Sequence, residues 1–473
     1  MGTLLVDDLK VGTSFADVTG GGNVPPTILV VPQSQTVTAG DTATFTVQAG
    51  GSSPLRYQWQ FYGTNLFGQT NVSLALFNVT TNQAGPYSVT ITNDYGATNS
   101  PTATLTVNPA PAAGSSISLV TYNVKGFNAV DWSTNSAQVQ AIARQMQYLN
   151  PDFITFQEIP FPLRYEMTNF VRAFLPGYKV AISSGTDGSL CSAIVSRFTI
   201  TRSNSWLDSA DLKPFGYTNT STSLADNYTR DLFEAQITVP GFPRPLHIFT
   251  THLKATSSSA NYAEDAAKRA AEAAAITNFF ATNLFVLYPY DPYVLTGDLN
   301  DNDTNTVAIQ RLVSPPSGLR LTNPANPVTG SINTYYSTTN AANPSSRLDY
   351  IMPGGLLYSN IAGSQVFRTD RLTPLPPNLN SNDCRVASDH LPVLMVFNNP
   401  YTKPFLITSI TRGNPNVTLQ WQSVFGQPYR VEVSSNLTTW SALATNLTAT
   451  GGNYTYSTNV TGDTRYFRIY RVP

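Results

Sequence analysis

Three patterns of apolar and polar positions follow one another along the chain. From Pro25 to Val107, short runs alternate apolar and polar residues and are broken by Gly, Asn and Pro, as half-buried strands of a β-sandwich would be. From Ile117 to about Asn399, short apolar runs alternate with helical periods. Strands are predicted at Ile117–Tyr122, Phe153–Gln157, Ser192–Ser196, Leu232–Val239, Leu246–Thr251, Tyr293–Thr296, Leu348–Met352 and Pro392–Phe397. The spacing of Val139, Ile142, Met146 and Leu149 predicts a helix over Asn135–Leu149, stopped by Asn150-Pro151, with further helices near Leu163–Phe174 and over the alanine-rich Asn261–Phe280. From Pro404 to Pro473 short alternating strands return, with Trp421, Tyr429, Trp440, Tyr454, Tyr456, Tyr466 and Phe467 as core and strand-pairing residues.

These patterns divide the chain. Residues 1–22 read as the tail of a preceding domain or a leader, 23–108 as a first β-sandwich, 109–116 as a Pro/Ala/Gly/Ser linker, 117–400 as a layered α/β domain and 404–473 as a second β-sandwich. The length of 473 residues and an apolar fraction of 41% suffice for several cores. Charged residues make up only 12%, with Ser, Thr, Asn, Gly and Pro abundant, a balance that suggests a secreted, bacterial protein whose signal peptide lies outside the given chain. The net charge of -1 supplies no basic footprint for wrapping nucleic acid, and no apolar run reaches the roughly 18 residues of a spanning helix. Two cysteines, Cys191 and Cys384, leave one bridge open as an option.

The chemistry is concentrated where apolar strands end. Tyr293-Val-Leu-Thr-Gly-Asp298-Leu-Asn300 places a carboxylate and a carboxamide at the exit of a short strand, with Gly297 allowing the bend; an Asx-rich turn is the structural alternative. Five further stretches share this feature: Leu119–Asn123 ends on a carboxamide, Phe153–Glu158 on a carboxylate and Ile248–His252 on an imidazole. Arg347-Leu-Asp349 sets an acid inside a strand, and Ser388-Asp389-His390 places an acid beside an imidazole. Asp349 could also serve as a plain ion-pair partner of Arg347, and Asn123 as a strand-end cap. Arg230 and Lys254 are candidate phosphate contacts, with ion-paired surface roles as the alternative.

This ordered series resembles the endonuclease/exonuclease/phosphatase superfamily of DNase I-like, metal-dependent phosphoesterases. The resemblance covers Ile117 to Asn399 and implies a four-layer α/β sandwich of two mixed sheets flanked by helices. It further implies that Glu158, Asn123 and Asp389 hold a divalent ion, Mg²⁺ or else Mn²⁺, with Ca²⁺ as another option; hard oxygen ligands suit such ions. Asp298 and Asn300 would lie beside the phosphate, with Asp298 orienting or deprotonating water. His390 would contact the phosphate with Asp349 holding its other ring nitrogen, and His252 would donate to the phosphate or leaving group. Only three histidines occur, and two of them fall on these positions. A histidine at 252 looks like the DNase I, sphingomyelinase and secreted nuclease branches, since the abasic-site branch usually carries tyrosine there.

The Arg56-Tyr-Gln-Trp59 and Ala84-Gly85-Pro-Tyr87-Ser-Val89 stretches resemble an immunoglobulin-like domain whose bridge is replaced by apolar Phe45 or Val47 and Val89. The last module resembles fibronectin type III. These modules would serve as spacers or attach the chain to a cell surface or polymer.

The resulting expectation is a monomeric, secreted, divalent-metal-dependent phosphodiesterase, foremost a DNase-like nuclease acting on extracellular DNA or RNA. A phosphomonoesterase, a sphingomyelinase-like phospholipid hydrolase or another small-phosphoester hydrolase is the alternative within the class. An adhesion protein carrying an inactive phosphoesterase domain is the alternative of another class.

Overall fold

A computed structural model describes residues 23–38, 43–76, 79, 81–108, 114, 116–219, 225–302, 306–337, 342–413, 415–459 and 465–472. The leading stretch 1–22 and most of the 109–116 linker lie outside the described residues. The chain separates into two compact units, Met1–Ala112 and Ala113–Pro473.

In the first unit a six-stranded sheet centred on Gly85–Asn93 and Arg56–Phe61 accompanies the antiparallel pair Ala43–Thr46 and Ser73–Leu76. Trp59 is fully buried against Phe45, whose ring stacks on Tyr87 at 5.0 Å. The Tyr87 hydroxyl donates to the Gln83 carbonyl at 2.9 Å, a tyrosine corner. Val47 and Val89 are buried in the same cluster, so apolar packing fills the place of a bridge.

The second unit contains two facing mixed sheets. One runs Lys179–Ile182, Leu190–Ser196, Phe153–Pro160, Ser116–Asn123, Val393–Asn398, Ile361–Val366 in spatial order. The other runs Thr199–Trp206, Leu232–Thr238, Leu246–His252, Tyr293–Asp298, Asp349–Pro353. Between them lies an apolar layer that includes Ile117, Leu119, Phe153, Ile248, Val294 and Ile351. The outer face of the first sheet packs Val120, Tyr122, Ile154 and Phe156 against helices Ala137–Leu149 and Glu166–Phe174. The outer face of the second packs Phe249, Leu295, Tyr350 and Met352 against Tyr262–Phe279 and Val307–Val313. Helix, sheet, sheet and helix therefore form four layers, the central strands burying both faces by period-two alternation.

All eight expected strands and three helices of this region are present. The strands that patterning missed, Lys179–Ile182, Thr199–Trp206 and Ile361–Val366, are the outer strands of their sheets. Their partly exposed faces dilute the apolar signal that central strands carry. Tyr262–Leu287 forms one continuous helix long and apolar enough by composition to cross a membrane, which the search for an apolar run did not reveal. Its hydropathy comes from alanine, and it buries Asp265, Lys268, Arg269 and Glu272 with the core face. Cys191 and Cys384 are both free and buried, and Cys384 Sγ donates to Gln145 Oε1 at 3.1 Å, so the optional bridge is not formed.

The C-terminal region is β-rich, with two three-stranded sheets closing over Trp421, Tyr429 and Leu419. Trp421 packs against Tyr429 and Tyr454 at 5.6 and 4.9 Å.

Gly297 is required by geometry. Its φ is +140°, and a Cβ there would stand 1.9 Å from the Thr251 carbonyl oxygen of the neighbouring strand. Gly297→Ala should destabilise the chain by about 2–4 kcal/mol through backbone strain and overpacking, seen as a lowered melting temperature in calorimetry; an unchanged transition would show that the strands can part without cost.

Candidate active site

The site is assembled by strand register. Inward-facing positions of the central strands pass from apolar to threonine to a functional group: Leu119, Thr121, Asn123 on one strand; Ile248, Thr250, His252 on another; Val294, Thr296, Asp298 on a third. The antiparallel strand Asp349–Pro353 runs the series in reverse, from Asp349 to Ile351. Residues His252, Asp298 and Asp349 are direct lateral neighbours in the ladder. Beneath them a polar layer ties the sheets together: Thr296 Oγ1 donates to Thr155 Oγ1 at 2.9 Å, and Gln157 Nε2 donates to Thr250 Oγ1 at 2.8 Å. Satisfied buried hydroxyls in this layer carry the sheet interface from apolar to charged.

Asp298 is the hub. It is 1% exposed, accepts from Asn123 Nδ2 at 2.9 Å and from the Asn300 backbone N–H at 2.8 Å, and has His252 Nε2 at 3.5 Å and His390 Nε2 at 3.7 Å. Asn123 Nδ2 also donates to Glu158 Oε1 at 3.0 Å. Glu158 sits at a strand irregularity with φ +59°, and the chain at Gly126 crosses it so closely that a Cβ would lie 2.2 Å from the Glu158 carbonyl oxygen. His390 enters from the loop before the last strand, held by Ser388 Oγ, which accepts its N–H and donates to the Asn123 carbonyl. Its Nδ1 meets Asp349 Oδ2 at 2.8 Å.

Burial drives Asp298 upward from the ordinary carboxylate range, Asp349 and Glu158 add to this, and His390 opposes it. The two imidazoles are pushed apart. Burial opposes charge on His390, but Asp349, Asp298 and Asp389 together outweigh it and raise the imidazole to about 10. Burial lowers His252 well below its usual range, with the positive Arg230, His390 and Lys254 adding to the effect. One imidazole is thus a cation at neutral pH and the other is neutral, with opposite proton-handling abilities.

Seven expected residues, Asn123, Glu158, His252, Asp298, Asn300, Asp349 and His390, converge on this rim. Asn300 acts through its backbone N–H, while its side chain donates to the Leu253 carbonyl at 3.0 Å. Among the described residues, Asp389 stands apart from the groups that could hold a metal ion, Glu158/His252/Asp298 and Asp298/Asp349/His390, and pairs with Lys125 Nζ at 2.7 Å. Arg230 is committed to Asp187 at 2.8 Å and to the His252 carbonyl, and Lys254 to Asp265 at 3.2 Å and the Ala255 carbonyl. Both therefore brace the site from behind. Sequence reasoning missed Lys125, two residues past Asn123, and Tyr335, whose ring lies 5.0 Å from that of His390. Neither ends a strand, so the strand-end criterion passed over them.

The His390 assignment has a definite sign. A raised folded-state value stabilises the fold fully below the unfolded imidazole pKa of about 6.5, and this contribution is lost as pH rises through about 10. In an NMR titration, Asp349→Asn should lower the His390 midpoint by a unit or more; an unmoved midpoint would show that Asp349 does not hold the proton.

The immunoglobulin domain family model matches residues 25–93, and the Endonuclease/Exonuclease/phosphatase family model matches residues 120–390. No curated protein matches the sequence. Among solved structures, an endonuclease/exonuclease/phosphatase from Bacteroides vulgatus is 16% identical, with 59% of this chain and 98% of that chain covered and a TM-score of 0.43. Beta toxin from Staphylococcus aureus is 18% identical over 59% of this chain and 99% of its own, with a TM-score of 0.42. Sphingomyelinase C from Streptomyces griseocarneus is 16% identical over 60% and 99%, with a TM-score of 0.40. The family match spans more than half of the chain and every residue of the rim just described, and the chain belongs to the Endonuclease/Exonuclease/phosphatase family.

Proposed function

We propose that the chain is a secreted, divalent-metal-dependent phosphodiesterase acting on extracellular nucleic acid. The observation that carries the phosphodiester chemistry is the buried convergence of three carboxylates with one charged and one neutral imidazole around Asp298. Glu158, whose side chain is 18% exposed, would hold Mg²⁺ or Mn²⁺, since a hard ion takes few protein oxygens and keeps its waters, while Asn123, whose Nδ2 faces Glu158 and Asp298 and whose Oδ1 accepts the Lys125 N–H, would orient the carboxylates rather than ligate the ion. Such an ion supplies charge neutralisation at the phosphoryl oxygens. The remaining chemistry belongs to the chain. Asp298, with its carboxyl proton affinity raised by burial, orients and deprotonates water. His390, kept protonated by Asp349, donates to the phosphoryl oxygens, stabilising the charge that develops there. Neutral His252 donates to the phosphate or leaving group. Low charged-residue content supports export.

A phospholipid substrate is the second reading, favoured by Phe127 at 57% and Val130 at 97% exposure on the loop that follows Lys125. The aromatic stretches Phe215-Gly-Tyr217 and Tyr288–Tyr293 do not form an exposed hairpin of this kind: Tyr217 is in the core and Phe215, Tyr288 and Tyr293 pack against it.

The test is hydrolysis of bis-(p-nitrophenyl) phosphate, plasmid DNA and sphingomyelin vesicles by the purified chain with Mg²⁺, Mn²⁺ or EDTA. EDTA-sensitive cleavage of the small ester and DNA is expected; preference for vesicles selects the second reading, and no cleavage of any substrate refutes both. Asp298→Ala and His390→Ala should each lower kcat by about 10²–10⁴-fold with the melting transition retained, and near-normal turnover in either would refute its assigned role.

A further inference from the structure

Asp349 opens the end strand of one sheet and His390 precedes the last strand of the other, so their 2.8 Å contact joins side chains from two separate segments. A third segment, Thr334–Tyr336, is bonded to both. Tyr335 makes backbone bridges to Ser346 on one side and to His390 on the other. Towards Asp349, the Thr334 and Tyr335 N–H groups donate to the Ser346 carbonyl at 2.8 and 2.9 Å. Towards His390, the Leu391 N–H donates to the Thr334 carbonyl at 2.8 Å and the Tyr336 N–H donates to the Asp389 carbonyl at 2.9 Å. The backbone is therefore fixed on both flanks of His390, and the Tyr335 ring packs on the imidazole at 5.0 Å.

Thr334 is the residue that reaches both sides at once. Its carbonyl takes the Leu391 N–H next to His390, while its buried hydroxyl oxygen accepts the Leu348 N–H at 3.0 Å and the Asp349 N–H at 3.2 Å. Asp349–Pro353 is the last strand of its sheet, so at its start these two N–H groups are met by a hydroxyl rather than by a further strand. Two acceptor lone pairs suit two donors, and a buried N–H left without a partner is costly. The carboxylate's backbone and the imidazole's backbone are thus tied to one residue, and the ring they hold presents Nε2 to Asp298 Oδ2 at 3.7 Å.

We infer that Thr334 is a positioning residue of the Asp349–His390 couple, its hydroxyl and carbonyl setting the separation at which the carboxylate grips the imidazole and aims it at Asp298. Its polar atoms bind backbone on both sides, so it acts through Asp349 and His390 rather than on a substrate. Its effect on turnover rests on the phosphodiesterase reading; the geometry it sets does not.

The experiment is a series of Thr334 variants of the full chain, read by hydrolysis of bis-(p-nitrophenyl) phosphate with Mn²⁺ and by proton NMR of the His390 Nδ1–H, a signal assigned by its loss in His390→Asn. Thr334→Val keeps the side-chain shape and removes the acceptor; it should lower kcat about ten-fold, hold KM within about two-fold and displace or broaden the His390 signal. Thr334→Ser should restore all three. Thr334→Cys, whose sulfur is a weak acceptor, should fall between them, and it carries the test if the valine variant does not fold. In an Asp349→Asn background, Thr334→Val should cost less than about two-fold more, because both act through one contact, whereas an independent structural role would cost its full factor again. An unchanged kcat with an unmoved His390 signal in the valine or cysteine variant, no recovery in Thr334→Ser, or full additivity with Asp349→Asn would each overturn the inference. No hydrolysis by the unaltered chain would refute the phosphodiesterase reading instead, and the His390 signal then decides the positioning role alone.

Discussion

Everything at the rim depends on keeping the Asp298 carboxyl buried without leaving it unpartnered. A nearly dry carboxylate is costly, and the structure meets that cost with two direct donors, the Asn123 amide and the Asn300 backbone N–H, and two imidazoles at longer range. The donors come from opposite sheets, so the hydrogen bond from Asn123 to Asp298 also fastens the sheets at their functional end. The threonine layer below serves the same end. Thr155, Thr250 and Thr296, together with Gln157, convert an apolar sheet interface into one that tolerates charge.

Proton affinities follow from this packing. His390 and His252 lie on either side of Asp298, yet one is charged and the other neutral. The difference lies in their partners: His390 has Asp349 in hydrogen-bond contact, whereas His252 Nδ1 has no partner among the described residues and faces positive neighbours. The fold places one cation and one neutral donor around a carboxylate, a division of labour suited to phosphoester hydrolysis. The basic residues Arg230 and Lys254, each already paired, add positive field at His252, and Lys125 pairs with Asp389 beside His390.

The functional rim was legible because the sheet encodes it at period two. A short apolar run ending on Asn123, Glu158, His252 or Asp298 has no packing reason to end that way, and the order of these endings identified the family. Central strands and long helices were equally readable, since each buries a full face. Three of the four end strands were not: Lys179–Ile182, Thr199–Trp206 and Ile361–Val366 pair on one side only and exposure erases their alternation, whereas Asp349–Pro353, also an end strand, is buried along its length and was readable. The alanine-rich helix was readable as a helix, but its length and hydropathy alone do not distinguish a core helix from a spanning one, and only its packing shows its role in the core.

By itself, then, the sequence determined the three-part organisation, the central layering and which polar groups stand at strand ends, because these follow from local periodicity. Tertiary structure decided who pairs with whom. That Asp389 is neutralised by Lys125, that Arg230 and Lys254 point into ion pairs, that Cys191 and Cys384 remain apart and that Asp349 holds His390 depend on contacts between segments far apart in the chain. Spacing along the chain carries no record of distance in space, and charge is settled by the nearest neighbours the fold provides.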